Sequence, residues 1–120
     1  MNFRILKGVL KRMTRQDFLF LDSTSGAASN ELRVTEGSEE LTLQVELLSG
    51  SSCSLTVMGR TDILADAWQP LFAIDLSHLD AVTEIVEDGI YSIPVGGIMG
   101  VKIVNGGTVG AVKAYGRILG

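Results

Sequence analysis

The chain has 120 residues, 46% apolar and 20% charged, enough for one domain with one core and not for two. Ten basic against fourteen acidic residues give a formal charge of −4, and residues 16–120 alone sum to −9, a balance in the main domain that argues against nucleic acid as its main partner, since phosphate binding needs clustered Lys and Arg. The single cysteine, Cys53, excludes an internal disulfide, so the fold stands on packing and has no need of an oxidising compartment.

The first element is the stretch MNFRILKGVLKRMTR. It carries Arg4, Lys7, Lys11, Arg12 and Arg15 and no acid, which leaves residues 16–120 with 5 basic and 14 acidic residues, a sum of −9. Ile5, Leu6, Val9, Leu10 and Met13 recur at helical spacing, with the cations largely on the other side and Gly8 as the weak position. Phe3, Ile5, Lys7, Val9 and Lys11 can also be read in alternation, so an extended form stays open. The segment is too short for a stable isolated helix. Its five apolar side chains do not offset the entropy lost on ordering it, so it needs contacts with a larger surface. Its charge asks for an acidic one: the body of the protein or a neighbouring copy. A disordered tail and a membrane-surface helix are the competing readings. The recurring charges interrupt any run that would serve as a secretory signal. No stretch approaches the roughly 18 apolar residues of a membrane span, and the chain reads as soluble and cytosolically made.

From residue 17 onward the pattern is β. DFLFLD (17–22) is a short apolar run, and ELRVT (31–35) alternates. LTLQVELLS (41–49) places Leu41, Leu43, Val45 and Leu47 on one face; CSLTVMGR (53–60) places Cys53, Leu55, Val57 and Gly59 on one face. WQPLFAIDL (68–76), IYSIPV (90–95), MGVKIVN (99–105) and TVGAVKAYGRI (108–118) complete a set of about eight strands, half-buried in sheets. Glycine-rich turns separate many of them. Residues 22–31, DSTSGAASNE, read as an exposed loop. In DLSHLDAVTEIVEDG (75–89), Val82, Ile85 and Val86 fit a strand at least as well as a helical turn. The spacing fits an antiparallel sandwich or small barrel, with Leu43, Val45, Leu55, Val57, Leu71, Ile90, Val101 and Ile103 in its core.

Catalytic constellations are hard to assemble from this composition. His78 is the sole histidine, so a His pair for a metal is unavailable, and it reads as a loop or surface residue rather than a general base. Cys53, on the apolar face of its strand, reads as a buried inert thiol. Glu39-Glu40 and Glu87-Asp88 read as solvated turn acids in preference to Ca²⁺ ligands, because the oxygen-rich spacing of an EF-hand loop is missing. PVGGIMG and VNGGTVG open no helix, so they read as hairpin turns rather than phosphate cradles. Trp68 and Tyr91 are the candidate ligand surface for a sugar, against a reading as packing at a sheet edge.

Within residues 54–118 a series of short motifs recurs. A strand ends in V-x-G-R-x-D, here Val57, Gly59, Arg60 and Asp62. Trp68 enters the next strand, followed by IDLS at Ile74 to Ser77. DGIY (88–91), a V-x-G-I turn at Val95 to Ile98 and a closing strand at Val112 to Gly116 complete it. This stretch resembles small β-sandwich structural proteins of tailed bacteriophages, such as head-fibre and capsid-decoration modules and tail or baseplate domains. The resemblance implies a non-enzymatic virion role and oligomeric assembly, often trimeric, and no catalytic residues. The N-terminal arm is not part of the shared pattern.

The expectation is therefore an all-β protein: an antiparallel β-sandwich of jelly-roll or immunoglobulin type (16–120), preceded by a basic arm (1–15). It is a virion structural protein assembled in the bacterial cytoplasm. It binds other virion proteins through Arg4, Ile5, Leu6, Lys7, Val9, Leu10, Lys11, Arg12, Met13 and Arg15, and self-associates as a trimer. It needs no cofactor, metal, nucleic acid or membrane span. The alternative is a carbohydrate- or receptor-binding tail module that uses Trp68 and Tyr91.

Overall fold

The computed structural model describes residues 15–24, 29–34, 37–62, 64, 66–107 and 110–119. Residues 1–14, which hold all of the arm except Arg15, lie outside this set, and so does the choice between a helical and an extended arm. Arg15 itself already belongs to the first strand.

The described residues form ten strands and no helix. In chain order they are β1 (Arg15–Thr24), β2 (Leu32–Arg33), β3 (Glu40–Leu47), β4 (Leu55–Arg60), β5 (Gln69–Pro70), β6 (Ala73–Asp75), β7 (Asp80–Val82), β8 (Gly89–Pro94), β9 (Gly100–Asn105) and β10 (Val112–Leu119). They make two antiparallel sheets, one ordered β1-β10-β3-β8-β6-β7 and one ordered β2-β9-β4-β5. The chain is thus an all-β sandwich.

Alternation decides which side of each strand is buried. Leu41, Leu43 and Val45 of β3 meet Leu55 and Val57 of β4 and Val101 and Ile103 of β9 in the core. Each is at most 1% exposed. The period of two fixes this register, because a slip of one residue would turn each apolar set outward. β10 contributes Val112, Ala114 and Ile118 to the same layer. Between them sits Gly116, where an added Cβ would lie 2.5 Å from Cε2 of Phe20 and 3.0 Å from Cδ1 of Leu41. The missing side chain lets the Phe20 ring of β1 lie down on β10, with Phe18 against it edge-on at 4.8 Å. The V-x-G-I motif is a β-turn in which Ile98 N–H donates to Val95 O (2.9 Å), and Gly97 takes the positive φ of 80°.

Several expectations need correction. Residues 68–76 form two short strands, β5 and β6, interrupted at Leu71-Phe72. A further strand, β7, follows, which raises the number from about eight to ten. Among the described residues of the 31–35 run, Leu32 and Arg33 form the strand. Ile90 is not in the core: Tyr91 pairs with Leu43 and takes the inward phase, and its neighbour Ile90 is left 44% exposed. Leu71 is only partly buried and packs at the core's margin. The 22–31 loop is anchored at its far end, where Ser29 and Ile103 exchange hydrogen bonds of 2.8 and 2.9 Å. Ile85 forms a two-bond bridge with Leu55, so the β7–β8 connection crosses from the six-stranded sheet to the other.

Candidate functional site

Three surfaces gather the side chains able to recognise a partner. The first begins where the arm joins the fold. β1 is the ten-residue edge strand of the larger sheet, paired among the described residues with β10 and bulged between Leu19 and Leu21 and again before Thr24. An edge strand presents unpaired backbone groups, and bulges of this kind blunt it. Beside it the outer face of the sheet holds a shallow open groove of about 550 Å³, with Leu19, Ile90 and Tyr115 as its apolar floor. Asp17 and Arg117 close one side through a 3.1 Å ion pair. The arm residues Arg4, Ile5, Leu6, Lys7, Val9, Leu10, Lys11, Arg12 and Met13 lie outside the described residues.

The second surface centres on Trp68, on the outer side of the four-stranded sheet. Its ring lies under two cations, the Arg60 guanidinium at 4.6 Å and the Lys102 ammonium at 4.4 Å from the centroid. Glu31 holds Arg60 in place as a two-pronged partner, accepting from Nη2 at 2.6 Å and from Nε at 3.1 Å. That carboxylate lies against Gly100, where an added Cβ would collide with it. Trp68 is half-buried beneath this assembly. Tyr91 is elsewhere: it points into the core at 2% exposure. The two aromatics therefore share no surface.

The third is an acidic hollow of about 280 Å³ at the β6–β7 edge. Asp75 closes β6 and organises the following turn: its Oδ1 accepts from Ser77 N–H (2.9 Å), and its carbonyl accepts from Leu79 N–H (2.6 Å). Its Oδ2 faces Nδ1 of His78 at 2.8 Å. This contact, with the Asp75 charge behind it, raises the His78 pKa, and the same hydrogen bond holds the Asp75 carboxyl below its usual range. Asp80, Glu84 and Glu87 complete the acidic lining, with Val82 and Val86 as apolar wall. Tyr91 supports the hollow from inside, donating its hydroxyl to Glu87 O at 2.8 Å. Burial, helped by the charges of Asp75 and Glu87, pushes that hydroxyl's pKa up to about 12. Asp75, His78 and Glu87 offer donor atoms within 4.8 Å of one another, near enough to share a cation. Asp75 and His78 already bond to each other through Oδ2 and Nδ1.

Cys53 is buried at 6% exposure, with its thiol against Ile85 O at 3.5 Å and its pKa raised, first by burial and then by the Asp88 charge. Such a thiol is a poor nucleophile.

The sequence matches no protein-family model and no curated protein. Among solved structures the fold is similar to two proteins. One is the SPBc2 prophage-derived protein YomS, with a TM-score of 0.79 and 15% identity over 89% of this chain and 94% of that one. The other is the PBSX exported protein XepA, with a TM-score of 0.78 and 14% identity. There the match covers 89% of this chain and 38% of XepA, so the fold recurs as one part of a longer protein. At these identities the likeness is one of fold.

Proposed function

We propose that this chain is a non-enzymatic structural protein of a phage particle, of capsid-decoration or head-fibre type. It attaches through its basic N-terminal arm and self-associates as a trimer. The observation that carries the reading is the separation of charge: five cations and no acid in residues 1–15, against −9 in the rest. The arm leads directly into β1, an edge strand of the larger sheet. The fold likeness to a prophage-derived and an exported prophage protein supports a phage setting and a place in the virion.

The test follows from the two kinds of contact the arm can make. Exposed ion pairs contribute about 0–1 kcal/mol each and fade with salt. Buried apolar anchors contribute about 1.5–3 kcal/mol each and resist it. Particle binding should weaken without vanishing as salt rises. Leu6→Asp with Leu10→Asp should abolish it, and Lys7→Gln with Lys11→Gln should flatten the salt dependence. Binding by the double-Asp variant at wild-type strength would defeat the proposal. The second reading, a carbohydrate- or receptor-binding tail module, rests on Trp68 and its two cations alone.

A further inference from the structure

The groove on the outer face of the six-stranded sheet holds about 550 Å³ against about 280 Å³ for the acidic hollow. That volume lies within the range of small-ligand sites.

Strand register builds the groove from two neighbouring rows. The pairings Leu19↔Tyr115, Tyr115↔Gln44 and Gln44↔Ile90 set one row across β1, β10, β3 and β8. The pairings Asp17↔Arg117 and Arg117↔Thr42 set the other, one outward position further along each strand. The first row crosses three strand spacings, about 14 Å at about 4.8 Å each.

The two rows differ in chemistry. The first is apolar except for Gln44. Its Leu19 is 47% exposed and its Ile90 44%, with the half-buried Tyr115 next to Leu19. Large apolar side chains gathered in one groove on a solvent face mark a contact surface. The second row is polar. The Asp17 carboxylate accepts from Arg117 Nε at 3.1 Å, and the Thr42 hydroxyl stands beside them. Asp17 and Arg117 are the charged residues of the lining, so the groove as a whole is neutral.

This lining discriminates among ligands. A neutral groove offers no net attraction to a polyanion or a basic peptide. A purely apolar partner would desolvate Asp17, Arg117, Thr42 and Gln44 without bonding to them, which is costly. A sugar suits both rows. Its C–H face can rest on a tyrosine ring, which has an apolar body and a polar end. Its hydroxyls, each both donor and acceptor, can bond to a carboxylate, a guanidinium, an amide and a hydroxyl.

We propose that this groove binds a neutral glycan chain laid across β1, β10, β3 and β8. Tyr115 is the platform for a sugar ring, Leu19 and Ile90 flank it, and Gln44, Thr42 and the Asp17–Arg117 pair bond to the sugar hydroxyls. The inference is independent of the arm, and it is independent of Trp68, which lies on the other sheet.

The test begins with the full-length protein on an array of neutral oligosaccharides, among them chitotetraose, cellotetraose and maltotetraose, with polyuronate as the charged control. At least one neutral member should bind saturably. With that oligosaccharide, the amide NMR signals that move should cluster at residues 17–19, 42–44, 90 and 115–117. Gln44→Ala, at an exposed position, should weaken binding about tenfold or more and leave the unfolding temperature unchanged. Tyr115→Ala should weaken it at least as much, and Tyr115→Phe, which keeps the ring, should cost less. Trp68→Ala should change nothing. Binding should also hold from low to high salt, unlike attachment through the ion pairs of the arm. Failure to bind any neutral glycan, preference for the polyuronate, signals that move around Trp68 instead, or binding unaffected by Gln44→Ala and Tyr115→Ala would overturn the inference. Arm variants that lose the particle and keep the glycan would support both readings. A protein that binds particles through its arm and no neutral glycan would overturn this inference alone.

Discussion

Gly116→Ala tests how β1, the root of the arm, is fastened to the sandwich. The new methyl group would meet Phe20 Cε2 at 2.5 Å and Leu41 Cδ1 at 3.0 Å, closer than carbon atoms tolerate. Both neighbours are buried, Phe20 at 5% and Leu41 at 0% exposure, so neither can swing into solvent. Overpacking of this kind costs about 1–3 kcal/mol. Alanine recovers about 0.4–1 kcal/mol by restricting the unfolded chain. The net loss is about 0–2.6 kcal/mol, a fall in unfolding temperature of up to about 10 °C for a domain of this size. Urea unfolding followed by the fluorescence of Trp68, the sole tryptophan, reads it directly: the midpoint should fall with the slope unchanged. Gly59→Ala is the control. The nearest atoms its methyl would meet belong to the side chain of Leu71, at 2.8 Å, and that side chain is partly buried at the core's margin. It should stay within about 0.5 kcal/mol of wild type. Phe20→Leu should cost less in the Gly116→Ala background than alone, because the smaller side chain makes room for the methyl. A Gly116→Ala protein more stable than wild type, or additive double mutants, would refute the placement of Phe20 on β10.

Three further outcomes are expected. Asp75→Asn should return the His78 pKa toward 6.5, read by the proton NMR titration of this single histidine. Since the native His78 value is raised and the Asp75 value lowered, the stability the pair contributes is complete between pH 3.8 and 6.5; it fades above, through the raised His78 value, and below, through the lowered Asp75 value, and the variant should lack that dependence. Tyr91→Phe leaves Glu87 O without its donor and should cost about 0.5–1.5 kcal/mol in urea unfolding. Trp68→Ala removes two cation–ring contacts, about 0.5–1 kcal/mol each, and should leave particle binding intact; loss of binding would favour the carbohydrate or receptor reading.

The faces of β3, β4, β9 and β10 were legible because each is a long alternating run in which one phase alone is apolar. Ile90 was misread because Ile90 and Tyr91 are both apolar neighbours. Only the pairing of Tyr91 with Leu43 selects the phase, and pairing is a long-range fact. The same holds for Glu31 and Arg60, 29 residues apart in sequence and joined at 2.6 Å. The hollow was closer to hand: Asp75 and His78 stand three residues apart in one turn, and the D-x-x-H spacing is a local signal for their contact. What brings Asp80, Glu84 and Glu87 to the same side is the crossing of the β7–β8 connection between sheets, secured by Ile85 on Leu55. Ile85 carried an apolar signal, but nothing local tied it to β4.

The central claim is that the basic arm makes the attachment. Its most direct test is to delete residues 1–14, which leaves β1 whole from Arg15, and to measure occupancy on particles of the proposed kind that lack the protein. The account predicts a folded sandwich, with an unchanged β-type circular dichroism spectrum, that no longer co-sediments with the particles. A truncated protein that loads to wild-type occupancy would contradict it.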